Sequence, residues 1–148
     1  MTPPEEDKAR LAARLAADYL LRSVRMISEL SGGDLLTGLV SLALVQANVA
    51  HLDREANDFN RIDTVPPDEV RRPISVLALS ASLGLPYETT RRHVAKMVAA
   101  GLCVRVKGGV MIPTAIVEDR GRSGMLEANL LNLRRLVRSL RNAGINFD

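Results

Sequence analysis

Between Tyr87 and Ala100 the residues able to do chemistry fall on one side of a helix. At 100° per residue, Glu88, Thr89, Arg92 and Lys96 gather on one face, and Thr90, Val94, Met97 and Val98 on the opposite one. A guanidinium and an ammonium one turn apart, beside a hydroxyl and a carboxylate, suit a polyanion whose acceptor edges can be reached by directional hydrogen bonds. Tyr87 opens the segment, and Arg91 lies toward its flank. A few residues on, Val104, Arg105, Val106 and Lys107 alternate apolar and basic with the period of a strand, which places Arg105 and Lys107 on one face.

Other chemistry finds no residues to carry it. The chain has no P-loop, no GxGxxG, no HExxH and no GxSxG. Cys103 is the single cysteine, and His51 and His93 stand far apart, so no zinc-ligand spacing exists and neither metal nor cofactor is expected. His51 and Cys103 sit in no catalytic context, which argues against an enzyme. One unpaired cysteine fits a reducing compartment. The start, MTPPEEDKARLAARLAADYLL, lacks the basic stretch and apolar core of a signal peptide, so a cytoplasmic protein is expected.

Charge narrows the partner. Residues 1–70 hold 7 Lys+Arg against 12 Asp+Glu, a balance of −5, and residues 71–148 hold 13 against 5, a balance of +8. The basic half is the one with the candidate face, which favours a polyanion there. With no Trp, two Tyr and two Phe, the chain lacks the aromatic platforms on which single strands stack, so a duplex is favoured over single-stranded RNA.

The elements that must position this face follow from periodicity. At 148 residues with 47% hydrophobic content, one compact unit is the default. Residues 7–30 predict a helix with Ala9, Ala13, Ala16, Leu20, Val24 and Ile27 as its apolar stripe, stopped by Gly32-Gly33. Asp34 can cap a second helix to about residue 58, apolar almost all round except for a polar stripe of Asp34, Thr37, Ser41 and Asn48. That run is about long enough to span a bilayer, but its polar residues make a core helix the better reading, and no membrane partner is expected. The polar stretch Asn57–Pro73, broken by Pro66-Pro67, reads as a connector, and Glu118–Gly124 as another loop. A last helix from about Ser123 to Asn142 carries Leu126, Leu130, Leu133, Val137 and Leu140 as an a/d seam, free to pair with another subunit or to pack on the first two helices. Arg134, Arg135, Arg138 and Arg141 decorate its other faces.

Around the candidate face the pattern is tighter. Ser75 caps a short helix with Leu79 and Leu83 inward. Gly84 then permits a sharp turn and Pro86 starts the next helix. Gly101 ends that helix, and Gly108-Gly109 reads as a two-residue hairpin turn of the primed type before Val110, Met111 and Ile112 return.

This order, with YETTRRHVAKMVAAGL followed by CVRVKGGVMI, resembles the winged helix-turn-helix of bacterial transcription regulators over Arg72 to about Val117. Thr90, where a branched aliphatic residue is commoner, and Pro86, in place of a small hydroxyl cap, depart from that pattern. The resemblance implies a mainly α fold: a winged helix-turn-helix with a small β-hairpin wing, flanked by long N-terminal and C-terminal helices. The division is then 1–62 as a helical dimerisation or scaffold region, 63–117 as the DNA-binding region, and 118–148 as a C-terminal dimerisation helix.

It further implies a sequence-specific regulator that binds double-stranded DNA as a homodimer, with helix 87–100 in the major groove and the wing, 103–113, on the backbone or in a minor groove. Tyr87, Glu88, Thr89 and Arg92 are then the base readers, Arg91 and Lys96 phosphate contacts, and Arg105 and Lys107 the wing contacts. His93 is read as a partly buried packing residue. A second reading is a winged-helix module that binds protein and leaves these cations solvated. A third adds a small-molecule effector among the apolar helices, near Gln46, Asn48 and His51, although these residues serve equally as buried hydrogen-bonding groups.

Overall fold

A computed structural model of the chain describes residues 8–54, 58–61, 64–121 and 124–147. The fold is mainly helical, with one small antiparallel sheet. In chain order the elements are α1 (Ala9–Leu30), α2 (Leu35–Val49), α3 (Val76–Leu83), α4 (Tyr87–Ala99), β1 (Val104–Val106), β2 (Gly109–Met111), α5 (Thr114–Gly121) and α6 (Met125–Asn142). α2 is shorter than its periodicity predicts: it tightens into a 3-10 turn over Ala50–Arg54, and residues 55–57 lie outside the described residues.

The chain forms two compact units rather than one, Met1–Gly33 with Gly124–Asp148, and Asp34–Ser123. The second has a continuous core of Val40, Leu44, Leu79, Val94, Met97, Cys103, Val110 and Ile112. Val40 and Leu44 come from α2, so that helix packs with the elements assigned to 63–117, and the division falls at Gly33 instead of residue 62. The reason lies in the connector, which is tied down. The Arg72 amide donates to the Asn48 carbonyl at 2.9 Å, closing the segment onto the end of α2.

Arg71 is also built in. Its side chain is buried and Nε donates to the Pro66 carbonyl and to Thr114 Oγ1, each at 3.1 Å. Burial pulls its pKa below the ordinary value, opposed by the nearby Asp68 carboxylate. Asp68 in turn accepts from the Thr114 amide at 2.8 Å, and Pro113 precedes the first turn. These contacts start α5, which makes a helix of Glu118–Gly121, where a loop is predicted from the polar sequence.

Asp34 caps α2 as expected, accepting from the Thr37 amide at 3.2 Å. The stretch Leu35–Asp53 is long and apolar enough to cross a membrane by length and composition, with mean hydropathy 1.6. In this fold Val40, Leu44 and Asn48 of the same stretch are wholly buried against the other elements of the unit.

The first unit pairs α1 with α6 in antiparallel fashion. Asn132 of α6 pins the middle: it accepts from Arg22 Nε at 2.6 Å and donates to Ser23 Oγ at 3.0 Å. At the far end the Lys8 side chain lies beside Gly144. The residues turned toward the partner helix on α1 include Leu11, Ala12, Leu15, Tyr19 and Met26. The predicted stripe is largely elsewhere: Ala9, Ala13, Ala16 and Leu20 are exposed, and of its members only Ile27 is buried. α1 has two apolar stripes, and periodicity marks both without ranking them. On α6 the seam residues Leu126, Leu130, Leu133 and Val137 are likewise exposed, and only Leu140 is partly covered.

Candidate nucleic-acid interface

The corner between α3 and α4 is set by local chemistry. Ser75 Oγ accepts from the Ala78 amide at 3.1 Å and so caps α3. Gly84 ends it in the left-handed region at φ 65°, and the Leu85 amide reaches back to the Ser80 carbonyl at 3.1 Å. Pro86 takes the cap position of α4. Thr90, wholly buried, donates its hydroxyl to the Pro86 carbonyl at 3.3 Å, which satisfies the group and accounts for a threonine where an aliphatic residue is commoner.

α4 presents the face its spacing predicts. Thr90, Val94 and Met97 are buried, while Glu88, Arg92 and Lys96 are exposed and Thr89 is partly so. Tyr87 is 48% exposed at the first position. Arg91 has a partner: its Nε donates to Glu88 Oε2 at 2.9 Å and its Nη2 to Oε1 at 2.5 Å. The Arg91 hydrogen bonds hold the Glu88 carboxyl below its ordinary value, and Glu88 raises the Arg91 guanidinium. The pair neutralises the charge of Arg91, so Arg92 and Lys96 carry the outward positive field of α4. Spacing shows that Glu88 and Arg91 lie three residues apart, but whether they meet depends on rotamers.

Behind α4, the polar stripe of α2 has a destination. Thr37 Oγ1 lies 2.7 Å from Asp34 Oδ2 and 2.9 Å from His93 Nδ1, and His93 has a side chain only 13% exposed. With its proton donated to Asp34, the Thr37 hydroxyl accepts from Nδ1–H. His93 is therefore a partly buried packing residue, as read from sequence, and its bond to Thr37 ties α4 to α2. Ser41 Oγ approaches Met97 Sδ at 3.7 Å. Asn48 fastens α2 to the hairpin: Nδ2 donates to the Arg72 carbonyl at 2.8 Å and to the Val110 carbonyl at 3.3 Å, and Oδ1 accepts from the Ile112 amide at 3.0 Å. These bonds use the hydrogen-bonding capacity that an effector at Asn48 would need.

The hairpin corrects two expectations. The register pairs Val104 with Met111, Arg105 with Val110 and Val106 with Gly109, so the two-residue turn is Lys107-Gly108. Only Gly108 has positive φ there, +96°, as in a type II turn rather than a primed one. Gly109 is needed for another reason: a Cβ on it would lie 2.1 Å from the Ile74 carbonyl oxygen, where Ile74 bridges to Val110 on the far side of β2. Arg105 and Lys107 therefore do not share a strand face. Arg105 starts on the side of buried Val110 and Cys103, with an exposed end, and Lys107 projects from the turn. The outward face carries Val104 and Val106, 38% and 40% exposed. Alternation identifies two faces, and packing against Ile74 decides which one turns inward.

Comparison of the chain with protein-family models, with curated proteins and with solved structures finds no match.

Proposed function

We propose that the chain is a sequence-specific, duplex-DNA-binding transcriptional regulator whose α4 enters the major groove. The observation that carries the reading is the outward face of α4, where Arg92 and Lys96 stand exposed on a helix anchored by buried Thr90, Val94 and Met97. A helix has the width of the major groove, and side chains near its N-terminal half reach base edges. The order α2, the Ile74 bridge, α3, α4, β1, β2 supports a winged helix-turn-helix, with α2 as its first helix. Within this reading Tyr87, Glu88, Thr89 and Arg92 face the bases, and Lys96 a phosphate. Arg91 reaches a phosphate only by giving up Glu88. Lys107, at the tip of the hairpin, is the wing contact, and Arg105 joins it by extending past the sheet edge.

The test is duplex binding. Selection from random duplex should enrich a motif, and Arg92→Ala should weaken binding to it by about 1–3 kcal/mol and relax one base pair. Absence of any duplex binding at low salt would reject the reading.

A protein-binding module is the second reading, and the apolar outward face of the hairpin, Val104 and Val106, favours it. Under that reading Val104→Ser with Val106→Ser abolishes partner capture, and Arg92→Ala does nothing.

A further inference from the structure

α1 and α6 meet through one face each, and each carries a second apolar stripe that the chain leaves uncovered. On α1 this is Ala9, Ala13, Ala16 and Leu20; on α6 it is Leu126, Leu130, Leu133 and Val137. Leu20 is 60% exposed, and Leu130 and Leu133 are 46% and 44% exposed.

The two stripes lie on the same side of the α1–α6 pair. At 100° per residue, the α1 stripe is rotated about 115° from the face that meets α6, and the α6 stripe about 100° from the face that meets α1, both in the direction of increasing residue number. Antiparallel neighbours viewed from one end wind in opposite senses, so like rotations carry both stripes to one side. The register set by Asn132 against Ser23 and by Gly144 against Lys8 places Leu133 near the level of Leu20, and Val137 near that of Ala16. The result is one continuous apolar surface with no charged residue within either stripe. Arg134, Arg138 and Arg141 follow about 50–110° further round and flank the α6 stripe.

We propose that this surface is covered by a second copy of the chain, giving an isologous four-helix bundle of two α1 and two α6 helices. Three observations select that occupant. The pair has almost no interior of its own, since α6 has no buried residue and α1 buries only Ala12 and Ile27, and an apolar stripe is stable only against another. The surface is self-complementary in size: three leucines and a valine on α6 can seat on the alanines of the other copy's α1. Eight residues exposed by about half, with the flanking stems, also offer on the order of the ~800 Å² per partner that a specific interface uses. A lipid surface fits less well, because the face has no aromatic anchor. The proposal does not depend on DNA binding.

Sedimentation equilibrium of the full chain tests it. The wild type should sediment at twice its 16.1 kDa at micromolar concentration, and Leu133→Glu should sediment as a monomer with helical circular dichroism intact. Leu133→Ala should weaken association at least tenfold, which serves if the glutamate variant fails to fold. Leu131→Glu, 62% exposed but outside the stripe, should remain a dimer. A monomeric wild type, a dimeric Leu133→Glu, or a Leu131→Glu that dissociates equally would each overturn the assignment. So would a monomer that floats with phosphatidylglycerol vesicles and loses them on Leu133→Glu.

Discussion

The Thr37 hydroxyl lies 2.9 Å from His93 Nδ1, joining the first turn of α2 to the middle of α4. Because Thr37 also holds Asp34 at 2.7 Å, the cap of α2 and the placement of α4 form one hydrogen-bonded chain.

That chain makes stability sensitive to acid. Asp34 is held below its ordinary value of 3.8 first by the Thr37 hydroxyl, and Asp68 below the same value first by the Thr114 amide. Both folded pKa values are depressed, so their contribution is present above about pH 4 and is lost as pH falls through and below that value. The urea midpoint should drop between pH 5 and pH 3, and Asp34→Asn should flatten part of that drop. An unchanged slope in Asp34→Asn would show that the cap does not couple to folding.

Glu88 restrains Arg91. Glu88→Gln removes the charge that neutralises the guanidinium. Binding to random duplex should tighten, and the slope of log K against log salt should steepen by about 0.9, one further phosphate contact. Lys107→Ala should flatten the slope by a similar amount without altering base preference. A fluorescence anisotropy series in salt measures both.

Asn48 closes the second unit. Asn48→Ala leaves the Ile112 amide and the Arg72 carbonyl without this partner in a buried setting. Urea unfolding should report a loss of about 2–4 kcal/mol. A loss below 1 kcal/mol would mean that water replaces the side chain.

Gly109 and Gly84 are set apart by sterics. Both have positive φ, but a Cβ at Gly84 meets nothing within 4 Å, whereas at Gly109 it overlaps the Ile74 backbone. Gly84→Ala should cost about 1 kcal/mol, and Gly109→Ala about 4 kcal/mol or more. Equal losses on thermal unfolding would contradict the close approach of Ile74 to β2.

Local residue order was enough to read α1, α3, α4 and α6, the start of α2, the caps at Asp34 and Ser75, the turn at Gly84 and the charged face of α4, because these depend on residues within one or two turns of each other; α5 was not among them, since its start rests on Asp68 and Arg71 far back in the chain. It also marked both apolar stripes now left open on α1 and α6. The remaining features came from contacts between distant elements. Packing chose which of two apolar faces α1 and α6 turn to each other, placed α2 behind α4, and left Val104 and Val106 on the open face of the sheet, with Arg105 on the side of Val110 and its end exposed. Those outcomes depend on contacts between residues far apart in the chain, such as Asn48 with Ile112 and Ile74 with Val110, and periodicity along one element carries no information about which distant element will meet it.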